Sequence, residues 1–142
     1  YTQRAVTTAE TSRPWREKMQ VIHAGPSQRS LYAGAPHLGA HLVRRTDWQI
    51  EWNDRFEVRF LTSTGPHAAC LQDDLAIVAC GNDLGFWWRM VPKLEEHGTA
   101  LTGMRSLQIV NVFTKQCISM QPGGMVLPAP CKGAAGEEWI VQ

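Results

Sequence analysis

The stretch CLQDDLAIVACGNDLGFWW at residues 70–88 recurs in outline as CISMQPGGMVLPAPCKGAAGEEW at residues 117–139. Each stretch holds two cysteines, and a tryptophan lies eight residues after the second, from Cys80 to Trp88 and from Cys131 to Trp139. A spacing that is kept in two places indicates one supersecondary unit used more than once. The chain is therefore predicted to be a repeat of small units around one core.

A third, cysteine-free copy is predicted at residues 19–52, where Trp48-Gln49-Ile50 matches Trp88-Arg89-Met90 and Trp139-Ile140-Val141. Short β-prone runs separated by Gly, Pro, Asn and Asp fill the chain after residue 18, and helix is scarce. The runs are Met19–His23, Trp48–Trp52, Phe56–Leu61, Leu75–Ala79, Trp88–Val91 and Ser106–Phe113. Three repeats of short strands predict an all-β barrel with threefold symmetry.

Length and composition favour one ordinary globular domain. The chain has 142 residues, of which 44% are hydrophobic and 19% charged, and its net charge of +1 gives no field that would attract nucleic acid. The longest apolar runs are far shorter than the roughly 20 residues of a transmembrane helix. We expect residues 1–18, which are rich in Thr and charge, to form an extended tail, and residues 19–142 to form the domain.

Four cysteines without a Cys-x-x-Cys pair favour two disulfides over a zinc or redox site. Disulfides persist in oxidising compartments. We therefore expect a secreted protein, periplasmic or at the cell surface before release.

The repeats resemble those of the ricin-B lectin family, which carry a Cys-Leu-Asp-like strand, a strand ending in Cys and a closing Gln-x-Trp. The matching segments are Cys70-Leu71-Gln72, Ile77–Cys80 and Phe86-Trp87-Trp88 in one repeat, and Cys117-Ile118-Ser119, Val126–Cys131 and Glu137-Glu138-Trp139 in the next. Phe86 and Glu137 replace the defining glutamine. The resemblance implies a β-trefoil.

Within that family, the order of motifs is similar to that of the A and C subunits of bacterial cytolethal distending toxins. The segments that carry this likeness are Trp48-Gln49-Ile50, Phe56–Phe60, Cys70-Leu71, Trp88–Pro92, Leu107–Val112 and Cys117-Ile118. The resemblance implies a non-catalytic subunit that holds a DNase I-like nuclease beside a homologous trefoil subunit and attaches to a host cell-surface glycan or lipid.

Local disulfides Cys70–Cys80 and Cys117–Cys131 are predicted, since each closes a short loop between adjacent strands. Four cysteines allow three pairings, and four free thiols are the alternative. By the chain-entropy estimate, a loop of this length stabilises by about 3 kcal/mol.

Ricin-type sugar sites combine a carboxylate, an aromatic face and an amide. In the second repeat those residue types are Asp73, Asp74, Asn82 and Trp87. Gln72 stands where the acid is expected, and Asp73 is displaced by one residue, which in a strand turns it to the other face. In the third repeat Ser119 replaces the acid, so that pocket is expected to be disabled.

The six tryptophans are expected to divide by role. Trp48, Trp88 and Trp139 close the repeats and are predicted to pack in the core. An exposed aromatic patch for receptor binding is predicted at Trp52, Phe56 and Trp87, because exposed aromatic residues often mark binding surfaces. Trp15, in the tail, is expected to contact a partner subunit.

Enzymatic interpretations find no support in the motifs. His37 and His41 have metal-like spacing but lie in a Gly/Pro-rich segment predicted to be a loop, without a third ligand. We expect no metal, cofactor or catalytic residue. The alternatives are a free-standing ricin-B-type lectin or carbohydrate-binding module, and a protease inhibitor on the same scaffold.

Overall fold

A computed structural model of the chain describes residues 16–24, 28–34, 37–42, 46–62, 68–92 and 106–142, and it is almost entirely β. The strands are β1 Arg16–Met19, β2 Val21–His23, β3 Ser30–Gly34, β4 His37–His41, β5 Trp48–Trp52, β6 Val58–Leu61, β7 Ala69–Leu71, β8 Ile77–Ala79, β9 Trp88–Pro92, β10 Leu107–Asn111, β11 Gln116–Met120, β12 Val126–Pro130 and β13 Trp139–Val141. Two short 3₁₀-helices, η1 Leu84–Phe86 and η2 Ala135–Glu137, precede β9 and β13.

Antiparallel pairing closes the barrel strands into a ring. Neighbours follow the order β1-β5-β6-β9-β10-β13-β2, and only Gln20 separates β1 from β2, so these two strands are halves of one run. The hairpins β3–β4, β7–β8 and β11–β12 each pair with the first barrel strand of their repeat. Three four-stranded repeats follow: repeat one (16–52), repeat two (58–92) and repeat three (107–141). The fold is a β-trefoil, as predicted.

One tryptophan from each repeat packs in the core and makes the same hydrogen bond. The relative exposure of Trp48, Trp88 and Trp139 is 0–1%. Their indole Nε1–H groups donate to the carbonyl oxygens of Leu31, Leu71 and Ile118 at 3.1, 3.3 and 2.9 Å. A buried indole N–H needs an acceptor, and the hairpin backbone of the same repeat supplies it three times. The prediction that these three tryptophans form the core is confirmed.

Two segments differ from the sequence-based expectation. Strand β1 begins at Arg16 and pairs with β5, so residues 16–18 belong to the barrel and not to a tail. The segment with His37 and His41, predicted to be a loop, is strand β4, because Leu38 and Ala40 alternate into the core. Gly39 lies between them under Tyr32, where a Cβ atom would come within 2.7 Å of the ring.

Both predicted disulfides are present. Cys70 pairs with Cys80 and Cys117 with Cys131, with Cα–Cα distances of 4.8 and 5.2 Å. Each ties the first strand of a hairpin to the residue that follows the second strand. Among the described residues, no helix has the length and apolar character needed to cross a membrane.

Candidate functional site

A cavity of about 430 Å³ opens in repeat two, between the β7–β8 turn and η1. Repeat three contributes one wall from the turn after β10. The lining residues are Gln72, Asp73, Asp83, Leu84, Gly85, Phe86 and Phe113.

The β7–β8 turn fixes the position of Asp73. Leu75 N–H donates to the Gln72 carbonyl at 2.8 Å, and Ala76 N–H donates to Asp74 Oδ1 at 3.0 Å. Leu75 has a positive φ of 67° and is buried, so core packing holds a backbone conformation that β-carbon sterics disfavour. The turn therefore presents Asp73 toward η1 and leaves Asp74 outside the cavity, where it caps the turn.

Gly85 allows the Asp73 carboxylate to lie against the backbone of η1. A Cβ atom on Gly85 would lie 3.2 Å from Asp73 Cγ. The Gly85 carbonyl accepts a hydrogen bond at 2.9 Å from Nδ2 of Asn111, which is fully buried. Asn111 Oδ1 in turn accepts from the N–H groups of Phe113 and Thr114, at 2.9 and 3.0 Å. One buried amide thus joins the η1 wall to the Phe113 wall.

The two cavity carboxylates have free acceptor atoms. Within the described parts of the chain, neither the Asp73 nor the Asp83 carboxylate accepts a hydrogen bond, and the Asp83 side chain does not cap η1. The Glu137 carboxylate, by contrast, accepts three hydrogen-bond donors. Phe113 is 63% exposed beside these acids. Free acceptors beside an aromatic face suit a ligand with hydroxyl or amine donors and an apolar side.

The four residues predicted to form a sugar site separate into two places. Asp73 lines the cavity and Asp74 caps the adjacent turn. Asn82 and Trp87 instead meet Arg59, whose Nη1 donates to Asn82 Oδ1 at 3.2 Å and whose guanidinium lies 5.1 Å from the Trp87 ring centroid.

Arg59 anchors this second cluster internally. It forms an ion pair with the buried Glu51 and donates to the Gly81 carbonyl at 2.8 Å. Trp87 is half-buried and packs against the small apolar cluster that includes Phe86 and Cys70. A guanidinium over one ring face leaves Trp87 less available to a ligand than strand alternation suggests.

Trp52 and Phe56 differ in exposure. Trp52 is half-buried and packs against the main core, whereas Phe56 is 82% exposed in the β5–β6 turn. Asn53 Oδ1 organises that turn by accepting from the N–H groups of Arg55 and Glu57, both at 2.9 Å, and Phe56 has a φ of 60°. Phe56 is thus held outward by a rigid turn. Trp15 lies outside the described residues.

The corresponding part of repeat three is built differently. Ser119 is buried, and its Oγ accepts from Gln121 Nε2 at 3.3 Å. A Cβ atom on Gly136, the counterpart of Gly85, would come within 2.4 Å of the Met120 carbonyl oxygen. In repeat three a backbone carbonyl therefore lies against this glycine, whereas in repeat two the Asp73 side chain lies against it.

Glu137 is the buried acidic residue of repeat three among the described residues, and its carboxylate points inward. It accepts from the N–H groups of Lys132 and Gly133 and from Gln108 Nε2, each at 3.0 Å on Oε1. Cys117 and Cys131 lie close by, but their sulfurs are bonded to each other and are not thiolate ligands for a metal. The Glu137 carboxylate therefore links β10 to the loop after β12 by hydrogen bonds.

Sequence reasoning missed Asp83, Leu84 and Phe113. Asp83 and Leu84 lie just before the repeated tryptophan, so their position in the repeated motif could have identified them as site residues. Phe113 belongs to the next repeat, and no spacing within repeat two identifies it.

Comparison with known proteins finds similarity in structure only. No family model matches the chain, and no curated protein matches it in sequence. The cytolethal distending toxin of Haemophilus ducreyi contains a chain of similar structure, with 19% identity, a TM-score of 0.64, and coverage of 96% of this chain and 87% of that one. A designed threefold-symmetric protein, ThreeFoil, matches with 10% identity and a TM-score of 0.57 over 87% of this chain and 96% of its own.

A GH43 β-1,3-galactosidase also matches, with 14% identity and a TM-score of 0.66. The match covers 99% of this chain but only 32% of the galactosidase chain. At these identities the likenesses show a shared fold, and they agree with the trefoil described above.

Proposed function

We propose that the chain is a non-catalytic carbohydrate-binding trefoil that acts as a binding and delivery subunit of a cytolethal distending-like AB-type toxin. The observation that carries the binding role is the cavity of repeat two. There, Asp73 and Asp83 offer free acceptors beside the exposed ring of Phe113. Sugar hydroxyls donate to carboxylates, while the apolar face of a sugar ring packs on an aromatic ring.

The toxin assignment is supported by the order of sequence motifs and by the likeness to the H. ducreyi toxin, which spans most of both chains. Its expected partners are a DNase I-like nuclease subunit and a homologous trefoil subunit, and its expected receptor is a host cell-surface glycan or lipid. The two disulfides support a secreted location, periplasmic or cell-surface before release.

A free-standing ricin-B-type lectin, or the carbohydrate-binding module of a longer enzyme, is the second candidate. The observation that favours it is the galactosidase, in which a trefoil like this one makes up about a third of the chain. Both candidates use the same cavity, and they differ in what the trefoil is joined to.

Glycan binding is tested by filling the cavity. Gly85→Leu places a side chain against Asp73 and is expected to abolish binding to immobilised glycans. Ala135→Leu is the matched control, because it places a leucine side chain at an exposed position of η2 in repeat three. Equal glycan binding by the parent and Gly85→Leu would refute the assigned cavity.

Assembly is tested by co-expression with a DNase I-like subunit and a second trefoil subunit, followed by size-exclusion chromatography. The toxin role predicts a stable heterotrimer. Elution of this chain alone, together with strong binding to simple galactosides, would favour the lectin.

A further inference from the structure

The cavity of repeat two has an unbalanced charge. Its wall carries two carboxylates, Asp73 and Asp83, and none of the described lining residues is a Lys, Arg or His. Ionised carboxylates only accept hydrogen bonds. Among the lining residues that the structure describes, only Gln72 has a side-chain N–H donor. A ligand at this wall must therefore bring its own donors, and a positive charge on it would offset two negative ones.

A neighbouring cation, Arg59, is occupied elsewhere. Its guanidinium is held by Glu51, the Gly81 carbonyl and Asn82, and Arg59 is not among the described residues that line the cavity.

The Asp83 side chain does not stabilise η1 by capping it. Asp83 occupies the N-cap position of η1, but its side chain makes no capping hydrogen bond. In repeat three, the equivalent η2 helix forms with Ala134 at the same position. A carboxylate that the helix does not need, placed at the rim of a cavity, is free to act on a ligand.

We propose that this cavity selects a ligand carrying a protonated primary amine, and that among saccharides it prefers an amino sugar whose amine is not acetylated. This inference rests on the proposed function, since it names the class of saccharide that the site takes. An ammonium group supplies three donors and a positive charge to Asp73 and Asp83. The exposed Phe113 ring offers it a cation–π face as well. Acidic sugars are repelled by the same charges.

The test compares D-galactosamine, N-acetyl-D-galactosamine, D-galactose and D-galacturonic acid by isothermal titration calorimetry with the intact chain. We expect galactosamine to bind about tenfold more tightly than galactose or the N-acetyl sugar, the scale of one charge-assisted hydrogen bond. Galacturonic acid is expected to bind most weakly. The preference for galactosamine should shrink as salt is added, because Asp83 is exposed to solvent.

Three matched variants separate the roles of the acids. Asp83→Asn is expected to remove the amine preference while galactose still binds, and Asp73→Asn is expected to weaken every sugar. Asp74→Asn makes the same charge change in the same turn but lies outside the cavity, so it should leave the preference intact.

The outcomes distinguish the inference from the proposed function. Equal binding of galactosamine and galactose by the parent chain, or equal loss of preference in Asp74→Asn and Asp83→Asn, would overturn the inference and leave carbohydrate binding standing. If no sugar binds, the proposed function fails. Binding of Nα-acetyl-lysine amide with the same dependence on Asp83 would then support amine recognition and identify a polypeptide as its source.

Discussion

Repeats two and three contain the same structural parts and differ in where an acid points. In both, a disulfide closes the hairpin, a 3₁₀-helix follows, and a buried tryptophan donates to a hairpin carbonyl. In repeat two, Asp73 faces an open cavity and accepts no hydrogen bond from the described residues. In repeat three, Glu137 is buried and accepts three donors. The comparison shows that one scaffold can leave a carboxylate facing a cavity or bury it as internal support.

The largest expected effect concerns the buried tryptophans that the two repeats share. Trp88→Ala and Trp139→Ala should each lower the free energy of unfolding by about 3–5 kcal/mol, because each removes a fully buried ring. Urea denaturation followed by circular dichroism measures both. Similar losses of unfolding free energy would support equivalence of the two repeats. A much smaller loss in one variant would contradict it.

Removing either disulfide should have the next largest effect. The loops span 10 and 14 residues, so Cys70→Ser with Cys80→Ser, and Cys117→Ser with Cys131→Ser, should each cost about 3 kcal/mol by the chain-entropy estimate. Equilibrium unfolding of the two double variants tests this. The loss should be slightly larger in repeat three, and a loss confined to one repeat would contradict the expectation.

The two acids should respond in opposite ways to truncation. Glu137→Ala leaves the N–H groups of Lys132 and Gly133 without their acceptor and should cost about 2–3 kcal/mol of stability. Asp73→Ala removes no hydrogen bond and should change stability by less than about 0.5 kcal/mol. Thermal unfolding of both variants gives the answer. Comparable destabilisation by the two would show that Asp73 also has a structural role.

The smallest expected effect separates the cavity from the exposed aromatic patch. Phe113→Ala should weaken glycan binding about tenfold, equivalent to about 1.4 kcal/mol, through loss of a stacking face. Phe56→Ala removes an even more exposed ring that does not line the cavity. Glycan titration of both variants, with a cell-binding assay beside it, tests them. Loss of cell binding in Phe56→Ala with unchanged glycan affinity would identify the β5–β6 turn as a second contact surface.

Spacing predicted the repeated core, and the short loops favoured the two local disulfides among the three possible pairings. The interval from Cys80 to Trp88 repeats from Cys131 to Trp139, since each span covers one hairpin end, one 3₁₀-helix and one buried ring. The trefoil followed from that interval together with the family resemblance. Strand β4 was missed, because its Gly39 is typical of loops, and the contact with Tyr32 that requires a glycine there is absent from the linear pattern.

The candidate site was predicted only in part, and the reason is physical. Asp73 was identified from its residue type, but strand alternation does not hold in a turn, so its direction came from the backbone around Leu75. Asn82 and Trp87 instead contact Arg59, which lies on another strand. Phe113 reaches the cavity from the next repeat through Asn111. By itself the sequence determined the repeat and its covalent links, which are local, whereas the tertiary structure decided which acid stays free, because that depends on contacts between repeats.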